Sequence, residues 1–225
     1  MRLLENTWND WLTQTFWTSL GQTLQMIGFT LIIGGGLGLL LGLTLFATRR
    51  GGLAENRIVY VILSVLVNII RPIPFIIFMT AIRPLTMAVM GGYIGTIPAI
   101  FPMVIMCSMA TSRLVEQSLI AADPGVIEAG RAMGASRLHI LTRILVPEAL
   151  APLILGYTFL FVGILDLSVM AGVISGGGLG QFALSDGYRK FNDLVTLVSI
   201  VVMIIMVQCV QLLGNGLARL ILRRR

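Results

Sequence analysis

Residues 11–48 read WLTQTFWTSLGQTLQMIGFTLIIGGGLGLLLGLTLFAT, 38 positions without one charged side chain. A run of ~18 or more apolar residues is long enough to cross a bilayer as a helix. Two further charge-free runs, 84–112 (29 residues) and 194–218 (25 residues), exceed that length. The whole chain follows suit: of 225 residues 56% are hydrophobic and 12% charged, against roughly 25% charged in an ordinary soluble domain. Water is therefore not its main solvent. Sixteen bases, fifteen of them arginine, outnumber ten acids for a net charge of +6. Such an excess can mark a nucleic-acid surface, but the long apolar runs point to membrane lipid and away from nucleic acid.

Cys107 and Cys209 both lie in apolar runs, where a thiol behaves as a small hydrophobe. They offer neither a disulfide framework nor metal-ligand spacing. The first apolar run starts late, after Glu5 and Asp10, and is far longer than the ~7–15 residues of a cleavable leader core. It is expected to stay as a permanent span. Trp8, Trp11 and Trp17 read as an interfacial aromatic belt.

A hydrocarbon core of about 30 Å takes ~20 helical residues, which divides the chain into five spans near 20–46, 58–82, 85–111, 152–173 and 195–217. The odd number puts the two ends on opposite faces, and arginine placement decides which is inside. With the N-terminus outside, Arg49, Arg50, Arg57, Arg113, Arg131, Arg137, Arg143, Arg219, Arg223, Arg224 and Arg225 are cytoplasmic, 11 of the 16 bases. Arg2, Arg83, Arg189 and Lys190 remain outside, and Arg71 falls within the second span. The expected topology is N-out, C-in.

Between the third and fourth spans, residues 112–151 contain four arginines, four acids and the only histidine, His139. Asp123 can cap a helix, Pro124 suits its first position, and Glu128 lies near its positive end. A second short helix is expected to begin near Ser136, after the Gly134-Ala135 break, and to stop at Pro147. Its apolar face comprises Leu138, Ile140, Leu141, Ile144 and Leu145.

The run Glu128-Ala129-Gly130-Arg131-Ala132-Met133-Gly134, nine residues, then Ile144-Leu145-Val146-Pro147 resembles the cytoplasmic EAA loop of binding-protein-dependent ABC importer permeases, with pattern E-A-A, three residues, G, nine residues, I-x-L-P. Gly130 replaces the second alanine and Val146 the leucine. Arg71-Pro72-Ile73-Pro74-Phe75 is similar to the R-S-I-P-F segment of methionine-type permeases, and Gly176-Gly177-Gly178-Leu179-Gly180 to their glycine motif after the fourth span. This resemblance implies an all-α integral membrane protein of five transmembrane helices with the type I ABC importer permease fold. Residues 1–225 then form one transmembrane domain in the inner cell membrane, with a coupling loop at about 112–151. The implied partners are a second copy of the chain, a cytoplasmic ABC ATPase dimer, and an extracytoplasmic substrate-binding protein delivering methionine or a related amino acid. ATP and Mg are held by the ATPase, leaving this chain no cofactor, metal or catalytic residue. Asp123, Glu128, Ala129, Gly130, Arg131, Gly134 and Pro147 are the expected ATPase-coupling residues. A physical reason stands beside the resemblance: an ATPase in water can move helices in lipid only through a rigid element that leaves the membrane. Small residues at Ala129, Gly130 and Gly134 permit close approach, and Glu128 and Arg131 make oriented polar contacts.

Arg71 follows Arg57, and Asp166 follows Pro152, by 14 positions each, so both lie about 21 Å into their spans at ~1.5 Å per residue. Three readings stay open: a charge pair offsetting the cost of each alone, a lining for the translocation path, or Arg71 snorkelling from a helix broken at Pro72 and Pro74. Asp166 stands where methionine-type permeases usually carry glycine. Ser168 and Met170 follow on the same span, Met170 either lining a closing gate or simply packing. Gly176, Gly177, Gly178 and Gly180 lack a following G-K-[ST] and fall on the outer side, so they are read as a packing or hinge element at the outer gate. Gly34, Gly35, Gly36, Gly38 and Gly42 are read as packing glycines.

Other classes fit less well. An intramembrane enzyme needs a nucleophile with a base, paired carboxylates, or metal ligands at membrane depth, and a secondary transporter would show repeats. A permease for another small substrate is the nearest alternative.

Overall fold

The computed structural model describes residues 10–174 and 176–222. Arg2, Glu5, Trp8, Arg223, Arg224 and Arg225 lie outside them, as does the side chain of Trp11. The described residues form helices and turns and no strand.

The opening apolar run is helical throughout. Helix α1 (Asp10–Phe29) passes through a π-helical turn, Thr30–Gly34, into α2 (Gly35–Thr48). At ~1.5 Å per residue this path is longer than a hydrocarbon core. Its surplus is the polar start, where Gln14, Thr15, Thr18, Ser19 and Gln22 recur.

The second span begins on a cap, Asn56 Oδ1 accepting from the amides of Ile58 (3.1 Å) and Val59 (3.2 Å). Helix α3 (Arg57–Ile70) starts there, and α4 (Phe75–Ala81) resumes after an interruption at Arg71–Pro74. Arg71 still has helical geometry, φ −55 and ψ −43, but Pro72 and Pro74 have no amide proton to continue the helical bonding and Pro74 is extended at ψ 131, so an apolar stretch expected as one helix over 58–82 is two. The third span is also redrawn. Residues 85–111 are not a single helix: α5 (Arg83–Met90) ends at Gly91, φ +72, and α6 runs over Thr96–Ile120. The coupling region expected to start at residue 112 is therefore helix α6 up to Ile120.

Helix α7 (Pro124–Ala132) follows, then α8 (Arg137–His139), a π-helical Ile140–Leu145, α9 (Val146–Glu148) and α10 (Leu150–Val173). Pro147 does not stop the helix. The Val146 amide reaches back five residues to the Leu141 carbonyl, and this widened turn absorbs the donor that Pro147 lacks. After α11 (Gly178–Gln181), a π-helical Phe182–Gly187 and a short 3₁₀ turn at Tyr188–Lys190 lead to α12 (Asp193–Leu222). Leu12–Thr48, Thr96–Ile120, Leu150–Val173 and Asp193–Leu222 are each long and apolar enough to cross a membrane, and the interrupted pair α3 and α4 makes five when counted as one span.

The chain forms two compact units. One gathers the residues up to Ile32 with Ile73–Ile105 and Phe161–Cys209. Its core joins Leu12 and Phe16 of α1 to Leu179, Phe182 and Val195, with Phe16 edge-on to Phe182 at 6.0 Å. The other comprises Ile33–Pro72, Met106–Leu160 and the residues from Val210. Its core is Phe46, Leu53, Val115, Leu119, Ile140, Leu145, Ala149 and Leu153. Within it α2 lies on α6 through Gly38 and Gly42, one turn apart, where small residues let transmembrane helices approach. A Cβ on Gly42 would sit 2.5 Å from the Ser112 carbonyl oxygen, and one on Gly38 would collide with Thr111. Gly35 instead receives the hydroxyl of Tyr157, which donates to its carbonyl at 2.8 Å.

Candidate functional site

The polar segment after α6 is built by local chemistry. Asp123 Oδ1 accepts from the Gly125 amide at 2.8 Å, Pro124 opens α7, and the Met133 amide donates back to Ala129. Gly134 then takes φ +73, a left-handed geometry natural to glycine, and Ser136 Oγ accepts from the His139 amide at 3.3 Å to start α8. The inner side of α7 packs within the chain: Ile127 joins the core, and Gly130 is buried where a Cβ would meet Ile144 Cδ1 at 3.1 Å and Ile140 Cγ1 at 3.2 Å. The smallness of Gly130 is thus used internally. Glu128, Ala129, Arg131, Gly134 and Pro147 are exposed. So are Met133 (76%) and Leu138 (70%). Leu138 therefore leaves the expected apolar face, while Ile140 and Leu145 hold it. A cleft of about 190 Å³ beside α7 is bordered by Arg49, Glu128 and Arg131, with the Arg49 guanidinium 4.4 Å from the Phe46 ring centroid.

The four residues expected to line the path are placed differently from one another. Arg71 is exposed where α3 ends, and Asp166 is exposed on α10. The ion pairs among the described residues are Arg113–Glu116 and Lys190–Asp186, and neither Arg71 nor Asp166 belongs to them. Ser168 is buried, its hydroxyl donating to the Leu165 carbonyl at 2.7 Å, and Met170 is half-buried.

The glycine segment folds onto α1. Gly177 and Gly178 have φ +82 and +79. The Gly178 amide donates to Gln22 Oε1 at 2.7 Å, the Leu179 amide to Thr23 Oγ1 at 2.8 Å, and the Gly177 amide to Gln181 Oε1 at 3.0 Å. A Cβ on Gly180 would lie 2.6 Å from the Val169 backbone, and one on Gly176 2.6 Å from the Ala171 carbonyl. Gly178→Ala is expected to lower stability by about 1–2 kcal/mol from the left-handed backbone alone, with more from Thr23 Oγ1 at 2.7 Å. Gly163→Ala, with nothing within 4 Å, should leave the thermal midpoint of the detergent-solubilised protein unchanged or raised.

One group escaped the sequence reading. Arg113, assigned above to a polar loop, lies on α6 with its side chain 14% exposed beside Glu116 at 5%. Its guanidinium donates to Glu116, to Ser64 Oγ, to the Ser64 carbonyl at 3.3 Å, and to Asn68 Oδ1 at 2.9 Å. A buried charged knot thus ties α6 to α3. An acid three residues after an arginine at the end of an apolar run was the available cue; the partners on α3 had none.

Several apolar spans, a capped polar helix turned outward and an interrupted span are the parts of a membrane permease. Residues 34–225 match the family described as binding-protein-dependent transport system inner membrane component. The chain is 37% identical over 202 residues to the probable D-methionine transport system permease protein MetI of Vibrio cholerae, covering 90% of each. It is 36% identical over 180 residues to the methionine import system permease protein MetP of Bacillus subtilis, covering 80% of this chain and 81% of that one. Among solved structures, a chain of the inward-facing MetNI methionine ABC transporter superposes with TM-score 0.92 at 33% identity, covering 95% of this chain and 99% of that one. The protein belongs to the inner membrane components of binding-protein-dependent transport systems. It is thus a multi-pass inner-membrane permease with the type I importer fold.

Proposed function

We propose that two copies of this chain form the translocation path of an ATP-driven importer of methionine or a closely similar amino acid. A cytoplasmic ATPase dimer holds the ATP and Mg, and a substrate-binding protein delivers cargo from the outer side. The observation that carries this reading is α7: its inner side is fixed by Ile127 and Gly130, while Glu128, Ala129, Arg131 and Met133 are offered outward with no catalytic chemistry to explain them. The exposed methionine and leucine provide apolar docking area, and Glu128 and Arg131 orient the contact. The arginine asymmetry supports an N-out, C-in orientation that turns this face toward the ATPase. Arg71, Asp166, Ser168 and Met170 belong to the path or its gate in this reading, and Gly176–Gly180 to the outer gate. The names and sequences of the relatives support methionine as the cargo.

The test is ATP hydrolysis by the reconstituted complex with its binding protein, across a panel of amino acids. L- or D-methionine should stimulate it several-fold over other residues. Glu128→Arg and Gly134→Val should release the ATPase on co-purification while the spans still insert, the second because a β-branched residue resists φ near +73. Normal transport in both variants would sink the proposed coupling site.

A further inference from the structure

The geometry points to a binding site for a free α-amino acid, gripped at its carboxylate by Arg83, in the cavity that follows the interrupted second span. This inference rests on the importer reading above and adds a site to it. The cavity measures about 260 Å³ and is bordered by Met79, Arg83, Thr86, Tyr93 and Ile174 among others. That is below the ~300–1,000 Å³ of pockets for drug-sized ligands, so the occupant is small.

Its chemistry is divided. The Arg83 guanidinium stacks on the Tyr93 ring at 4.2 Å from the centroid, which fixes its plane and leaves its edge donors free. No acid pairs with it among the described residues, and a planar fork of donors matches a carboxylate two-to-two. Acceptors stand elsewhere in the same wall. Thr80 and Thr86 spend their hydroxyl protons on the carbonyls of Ile77 (2.8 Å) and Ile82 (3.2 Å), which leaves oxygen lone pairs to receive an ammonium. Pro102, inside α6, has no amide proton, so the carbonyl of Pro98 loses its usual helical donor; both prolines border the cavity. The remaining surface is apolar, with the adaptable thioether of Met79 and the side chain of Ile174. Cation, acceptors and a flexible apolar wall together describe a zwitterion with an unbranched apolar side chain. The location agrees with this chemistry, because interrupted membrane helices free backbone groups only where they line a cavity.

The experiment uses the intact complex in lipid nanodiscs with a diazirine analogue of methionine, photolysed and mapped by mass spectrometry. Label should fall on residues 79–102 of this chain and be displaced by methionine but not by its methyl ester, which lacks the carboxylate. Arg83→Gln should weaken displacement at least tenfold, and Met79→Trp should abolish labelling by filling the cavity. Label elsewhere, undiminished affinity in Arg83→Gln, or a phospholipid held in the cavity that methionine does not displace would overturn the site. Uptake of methionine by the same complex is scored separately. Uptake without label in 79–102 defeats only this inference, whereas absence of uptake defeats the importer reading itself.

Discussion

Arg113→Ala is expected to destabilise the permease by about 3–5 kcal/mol, the usual cost of removing one partner from a buried ion pair. Glu116 is 4% exposed, and the guanidinium that neutralises it also bonds Ser64 and Asn68 on α3. Alanine leaves a carboxylate in apolar surroundings and two α3 side chains without their donor. Pairing the change with Glu116→Gln should recover a large part of the loss, because it removes the stranded charge and leaves only neutral polar groups. Arg113→Lys should fall between, since an ammonium has three donors for four acceptor atoms and lacks the fixed plane that the guanidinium spans. Thermal unfolding in detergent ranks the four proteins. A double variant no more stable than Arg113→Ala would show that the knot is not electrostatic.

Gly42→Leu should abolish accumulation of folded protein, and even Gly42→Ala should cost about 1–3 kcal/mol by overpacking. The first added carbon meets the Ser112 carbonyl at 2.5 Å and Val115 Cβ at 2.6 Å. A backbone oxygen on a neighbouring helix cannot rotate aside, so α2 would have to leave α6. Gly36→Ala is the internal control: nothing lies within 4 Å of its Cβ, and relief of the glycine penalty in a helix is worth up to about 1 kcal/mol. Opposite shifts from two alanines six residues apart, read as folded yield and thermal midpoint, would establish which side of the first span is packed.

Those two sites mark the limit of what the sequence discloses. Charge-free runs identified a membrane chain because hydropathy depends on composition alone. Capping of α7 by Asp123 and Pro124 was legible for a similar reason: donor, acceptor and proline lie within three residues. The second and third spans were misdrawn because hydropathy does not register where the backbone can hydrogen-bond. Residues 58–82 carry no charge apart from Arg71, yet Pro72 and Pro74 divide them; residues 85–111 are uncharged, yet Gly91 ends one helix before Thr96 begins another. Pro147 misled in the opposite direction, since a π turn let the helix pass it. Within the candidate site, spacing singles out Glu128 and Arg131, but the burial of Gly130 depends on Ile140 and Ile144, and the contacts of Arg113 on residues 45 and 49 positions away. Contacts across such separations leave no periodicity to read.

The bonds from Gln22 and Thr23 to the amides of Gly178 and Leu179 have a practical meaning for anyone recombining permeases. Two adjacent side chains on α1 fit two adjacent amides 156 residues away, as a two-pronged plug fits its socket. A chimera that exchanges the first helix without the glycine segment leaves both amides facing the wrong prongs, however well its apolar surfaces match. The smallest interchangeable part in that region is discontinuous: the two strips, 22–23 and 176–181, have to travel together.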